Sequence, residues 1–132
     1  MNPDALSDLV LLAACAASAW WVAVGRAAWR GAMLLLGLAA AIGVLRYSGL
    51  EWALGPHRFF SLLAACVAFW LMVAALRWPQ APLARQATAV GRFVVLLGGL
   101  GIAASQVGAA WWAQVVPGLS ALVLAWTMVQ QR

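Results

Sequence analysis

The chain has 132 residues, of which 67% are hydrophobic and 8% charged; eight Lys+Arg against three Asp+Glu give a net charge of +5, and the mean hydropathy is +0.96. A soluble domain carries about 25% charged residues, so this chain lacks the charge to solvate a globular surface, which excludes a soluble enzyme, a secreted disulfide scaffold and a disordered tail. All the basic residues are arginines, set between apolar runs with no basic stripe, so they read as topology determinants and not as a nucleic-acid footprint.

In chain order, five segments are apolar enough to span a bilayer. Met1-Asn2-Pro3-Asp4 has no Lys or Arg, so the first run, about 6–24, is expected to be retained as a span and not cleaved. Leu12-Ala13-Ala14-Cys15 matches a bacterial lipoprotein box, but the same string recurs at Leu62 to Cys66, and a cysteine packed between helices is the plainer reading. The second span, about 31–46, lies between Arg30 and Arg46; it is short, with room to continue to Trp52. The third, about 59–76, lies between Arg58 and Arg77, and Trp78-Pro79-Gln80-Ala81-Pro82 stops it. Pro82 is placed to begin a helix that runs through Arg85 and Arg92 into the fourth span. From Phe93 to Gln131 there is no charge for 39 residues. One helix of that length would measure roughly 58 Å against a hydrocarbon core of about 30 Å, so the stretch divides in two. Gly108 is the natural turn, giving spans at about 92–107 and 110–129, with a kink expected at Pro117-Gly118. The repeated Leu-Leu-Ala-Ala-Cys also aligns Arg26 with Arg77, as an internal duplication would.

The expected architecture is an all-α integral membrane protein, a single transmembrane domain over 1–132 forming a bundle of five helices. Arg26, Arg30, Arg77, Arg85, Arg92 and Arg132 fall on one side, Arg46 and Arg58 on the other with all three acids. That bias places the N-terminus out and the C-terminus in. Trp52, Trp111 and Trp112 then mark the outer boundary and Trp20, Trp21, Trp29, Trp78 and Trp126 the inner one, with Trp70 deeper. The lack of lysine fits a GC-rich bacterial gene, so the expected location is the bacterial inner membrane.

Small residues recur at close spacing in span two (Gly37 and Ala41, Ala39 and Gly43) and span four (Gly98, Gly99, Gly101, Ala103, Ala104). They let helix backbones approach closely, in the bundle interior or at an oligomer contact. Metal, phosphate and thiol-redox motifs are missing, and Cys15 and Cys66 sit among Ala, Leu and Val. No cofactor is expected. One polar cluster gathers on the outer rim: Asp8, Arg46, Tyr47, Glu51, Trp52, His57 and Arg58, with Ser105, Gln106 and Gln114 at the same level. Its plain reading pairs Asp8 with Arg46 or Arg58; its functional reading is a shallow headgroup or small-ligand site with His57 and Glu51 as acid/base candidates. On the inner side Arg26, Arg30, Arg77, Arg85 and Arg92 suit an anionic lipid headgroup.

The first functional expectation is a non-enzymatic, self-associating or accessory subunit of a membrane complex, its partners membrane lipids and a second copy or another subunit. The second is a small oligomeric channel or transporter for neutral or lipid-like solutes. The third is an outer-face membrane enzyme centred on His57.

Overall fold

The computed structural model describes residues 2–21, 27–109 and 111–130. The described residues are helical with no strand: α1 (Pro3–Trp21), α2 (Ala27–Tyr47), α3 (Leu54–Arg77), α4 (Leu83–Phe93), α5 (Gly99–Gln106) and α6 (Trp112–Gln130). A 3-10 turn, Glu51–Ala53, leads into α3, and a π turn, Val94–Gly98, joins α4 to α5 as one continuous rod. Four helical stretches are long and apolar enough to cross a membrane: Pro3–Trp21, Ala27–Tyr47, Glu51–Arg77 and Ala84–Gln106. Where a fifth span was expected, the apolar helix Gln114–Gln130 is shorter. The expected end of the first segment and the expected start of the last lie outside the described residues, as do Arg26 and Arg132.

Two glycines close helices at the same end of the bundle, the end at which α1 begins. At Gly49 (φ 99°) the Gly49 N–H donates to the Arg46 carbonyl and the Leu50 N–H to the Leu45 carbonyl; at Gly108 (φ 77°) the donors are Gly108 and Ala109 and the acceptors Ser105 and Ala104. This double hydrogen bond needs a left-handed residue, which glycine adopts without steric cost. It turns the chain at Gly108 as the sequence suggests. It also stops α2 at Tyr47, so that helix does not continue to Trp52. Pro117 sits within α6, which runs on through it, and the buried Ser120 hydroxyl donates to the Pro117 carbonyl at 2.9 Å.

The centre of the bundle is α3, whose Cys66, Val67 and Leu71 are fully buried. On it pack α2, α6 and the rod of α4, π turn and α5, whereas α1 packs on α2 alone. Small residues make these approaches possible. An added Cβ on Gly37 would stand 3.5 Å from the Cys15 Cβ of α1, and one on Gly98 would run into Leu63 of α3. Gly101 lies against Cys66 and the Trp112 indole. The two repeated cysteines are therefore free thiols, each buried against a glycine of a neighbouring helix. At Gly99, by contrast, nothing among the described residues lies within 4 Å of where its Cβ would stand, which leaves the oligomer contact of the two expected placements. The helix runs on through Gly98 and Gly99, and Gly98 closes the π turn.

Candidate functional site

At the end where α1 begins, the first turns of α1 and α3 flank the end of α2. Asp8 lies in the second turn of α1, His57 in the first turn of α3, and both reach over Gly43 of α2. A Cβ on Gly43 would collide with the Asp8 carboxylate and stand 3.0 Å from His57 Cε1. A glycine at this position is what lets the two side chains meet. His57 then presents its ring to the edge of Tyr47 (centroids 5.8 Å apart, planes at 72°), and the Arg46 guanidinium covers Tyr47 at 4.9 Å from its centroid.

Asp8 does not pair with Arg46 or Arg58. Arg46 is turned onto the Tyr47 ring and Arg58 is exposed. Among the described residues, Asp8 Oδ2 and His57 Nδ1 are buried and have no hydrogen-bond partner. The residues Asp8 and His57 line an open cavity of about 270 Å³ between α1 and α3, to which α2 and α6 also contribute. Ser61, one turn beyond His57, adds a hydroxyl, while Leu11, Leu36, Phe69, Pro117 and four alanines make the remaining wall apolar. Glu51 and Gln106, assigned to the same rim from the sequence, are exposed and do not line it. The sequence reading passed over Ser61, although its place four residues after His57 puts it on the same helix face.

At the other end the arginines separate. Arg85 and Arg92, with Thr88 between them, line an open groove of about 700 Å³ together with Trp78, Phe93 and Leu96. Arg30 borders a different surface hollow beside Trp20, Arg77 is exposed at the end of α3, and Arg26 is outside the described residues. The sequence grouped five arginines, and α4 brings two of them to one groove. Beside it the buried Gln86 joins three helix ends: its Oε1 accepts from the Ala27 N–H at 2.9 Å, and its Nε2 donates to the Trp78 carbonyl at 3.4 Å.

The α1–α3 cavity thus offers a carboxylate, an imidazole and a hydroxyl at one end and hydrocarbon along the rest. Ser61 makes no hydrogen bond to His57, so the three groups do not form the linked relay that activates a serine nucleophile. Among the described residues, no three His, Cys, Asp or Glu side chains come together to hold a metal ion. Compared with known proteins, the chain matches no family model, no curated protein and no solved structure.

Proposed function

We propose that this chain is a five-span protein of the bacterial inner membrane, N-terminus out and C-terminus in. It works as a non-covalent binding component for a lipid-like solute held between α1 and α3. One observation carries this reading: Asp8 and His57, from different helices, line one groove, and each carries a buried polar atom that has no partner among the described residues. Buried polar groups are nearly always hydrogen-bonded, and leaving one unpaired costs about 1–3 kcal/mol. A molecule with a polar head and an apolar remainder fits the chemistry of the walls, which join Asp8, His57 and Ser61 to apolar side chains. The arginine bias supports the orientation, and it puts the cavity at the outer leaflet.

The subunit reading draws on a separate feature. Gly99 and Ala103, four residues apart, both face outward on α5, a spacing that lets a second membrane helix approach closely. The two readings are compatible, since the outward face of α5 and the cavity are formed by different helices.

Topology is tested with reporter fusions: a C-terminal reporter should be active in the cytoplasm and one at Gly55 in the periplasm. A cytoplasmic signal at Gly55 would overturn the orientation. Binding is tested by native mass spectrometry of the chain released from mild detergent. The wild type should retain small amphiphiles that Gly43→Ala, which displaces the Asp8 carboxylate, loses. Identical retained masses in both would remove the cavity as the working site.

A further inference from the structure

The outward face of α4 carries a charge well inside the level of the helix ends. Gln86 sets that level: it bonds the first residue of α2 and the residue that follows α3, so it stands where both helices end. Val90, one turn further, lies against both, since an added Cβ on Gly31 of α2 would stand 3.5 Å from Val90 and from the fully buried Leu71 of α3. Arg92 follows two residues later, about 9 Å along the helix from Gln86. It is a cation beside the apolar body of the bundle, and it is exposed, as is Arg85.

Neither arginine has an acidic side chain near it. Asp4 and Asp8 stand at the start of α1 and Glu51 in the turn before α3, all at the opposite end of the bundle. Arginine stays charged in any protein setting, so in a bilayer Arg92 must reach water or meet an anion. Side chains on a helix lean toward its N-terminus, which on α4 is the end level with the helix ends. Arg85 and Arg92, seven residues apart, share one face and line one open groove of about 700 Å³. Thr88, between them, is small and donates its hydroxyl to the Ala84 carbonyl at 2.8 Å, so the charged donors of the groove are the two guanidiniums. The guanidinium fork matches the oxygens of a phosphate.

The rest of the lining sets what the phosphate is attached to. Ala84, Ala89, Phe93 and Leu96 are apolar, and Leu96 lies beyond Arg92 on the way into the bundle. Trp78, exposed just after α3, adds an indole at the boundary level that indoles favour. A head carrying its own ammonium would bring a third cation to the two arginines; a head without an amine leaves their charge to the phosphate.

We infer that the outward groove of α4 binds one anionic phospholipid, its phosphate held between Arg85 and Arg92 and an acyl chain along Phe93 and Leu96. This rests on the reading of the chain as a membrane protein and is independent of the α1–α3 cavity.

The full chain, purified in mild detergent, is titrated with phosphatidylglycerol and with phosphatidylethanolamine of the same acyl chains, and retained lipid is counted by native mass spectrometry. Phosphatidylglycerol should be retained about tenfold more strongly. Arg92→Gln should bring it down to the phosphatidylethanolamine level, and Arg85→Gln should lower it by a smaller factor. Arg58→Gln, which removes an exposed charge at the opposite end, should leave it unchanged. An unaltered melting temperature in lipid-free detergent shows that Arg92→Gln is folded; should it unfold, Arg92→Lys, with the charge kept and the fork lost, reads the same preference as a partial loss. Equal retention of the two lipids, equal losses in Arg58→Gln and Arg92→Gln, or inorganic phosphate bound as tightly as the lipid overturns the assignment. A chain that stays monodisperse with no detergent at all removes the membrane reading itself, a separate failure.

Discussion

The two ends of the bundle each bury polar side chains, and they treat them in opposite ways. Around Gln86 both ends of the side-chain amide are used: it accepts from the Ala27 N–H at the start of α2 and donates to the Trp78 carbonyl at the end of α3. Small residues, Ala28, Ala74 and Ala75, pack beside it with Trp29, Val90 and Phe93. Around Asp8 and His57 two buried polar atoms stay unmatched among the described residues, and a cavity separates α1 from α3. A structural cluster closes its own hydrogen bonds; one that leaves them open at a cavity points outside the chain. The Gln86 joint is closed within the chain, and the Asp8–His57 end is where the proposed site lies.

That contrast is breakable by substitution. The largest effect is expected at a closed contact, Gly98→Leu, where the new side chain must displace Leu63 of α3; overpacking there should cost about 3 kcal/mol in reversible unfolding from detergent. A negligible loss would mean that the rod of α4 and α5 is not fixed against α3. Next comes Gln86→Ala, which strands the Ala27 N–H and the Trp78 carbonyl and should lower stability by about 2 kcal/mol. Hydrogen exchange at the start of α2 should rise in the same variant; without that rise, Gln86 is not the joint described here.

The open end should respond differently. Asp8→Asn removes an unpaired carboxylate, so the ligand-free protein should lose no stability and gain up to about 1 kcal/mol. A drop comparable to that of Gln86→Ala would show that Asp8 has a structural partner and would erase the contrast between the ends. The smallest effect is expected one residue from the largest: Gly99→Leu, facing outward, should change the stability of the single chain by no more than about 0.5 kcal/mol. If sedimentation shows that the same substitution disrupts an oligomer, the outward small-residue face of α5 is a contact between copies.

Much of this was legible in the residues. Uncharged runs bounded by arginines gave the helices, Pro82 the start of α4 and Gly108 the last reversal, because each signal is local: hydrophobic length, a missing N–H, a left-handed turn. Gly49 carries the same signal as Gly108, but a span with room to continue to Trp52 passes over it. Asp8 and His57 were picked out as polar residues at the start of apolar helices. Their convergence on Gly43 is not legible there, because charge alone favours an arginine as the partner of Asp8. Only packing shows that Tyr47 holds Arg46 away and that Gly43 opens the way to His57.

By itself the sequence determined a helical, strongly apolar chain with its charges confined to the helix ends, because hydrophobicity and turn chemistry act over a few residues at a time. Which glycine faces a neighbour and which faces outward was settled by tertiary structure alone. Gly98 and Gly99 are adjacent and chemically identical, and successive residues on a helix point about 100° apart, so a choice of face that depends on where α3 lies cannot be written at either position. The same holds for the two ends of the bundle. Gln86, Asp8 and His57 are all polar residues in helices, and whether their hydrogen bonds close depends on partners up to 59 residues away in the chain, brought into reach only when the helices pack.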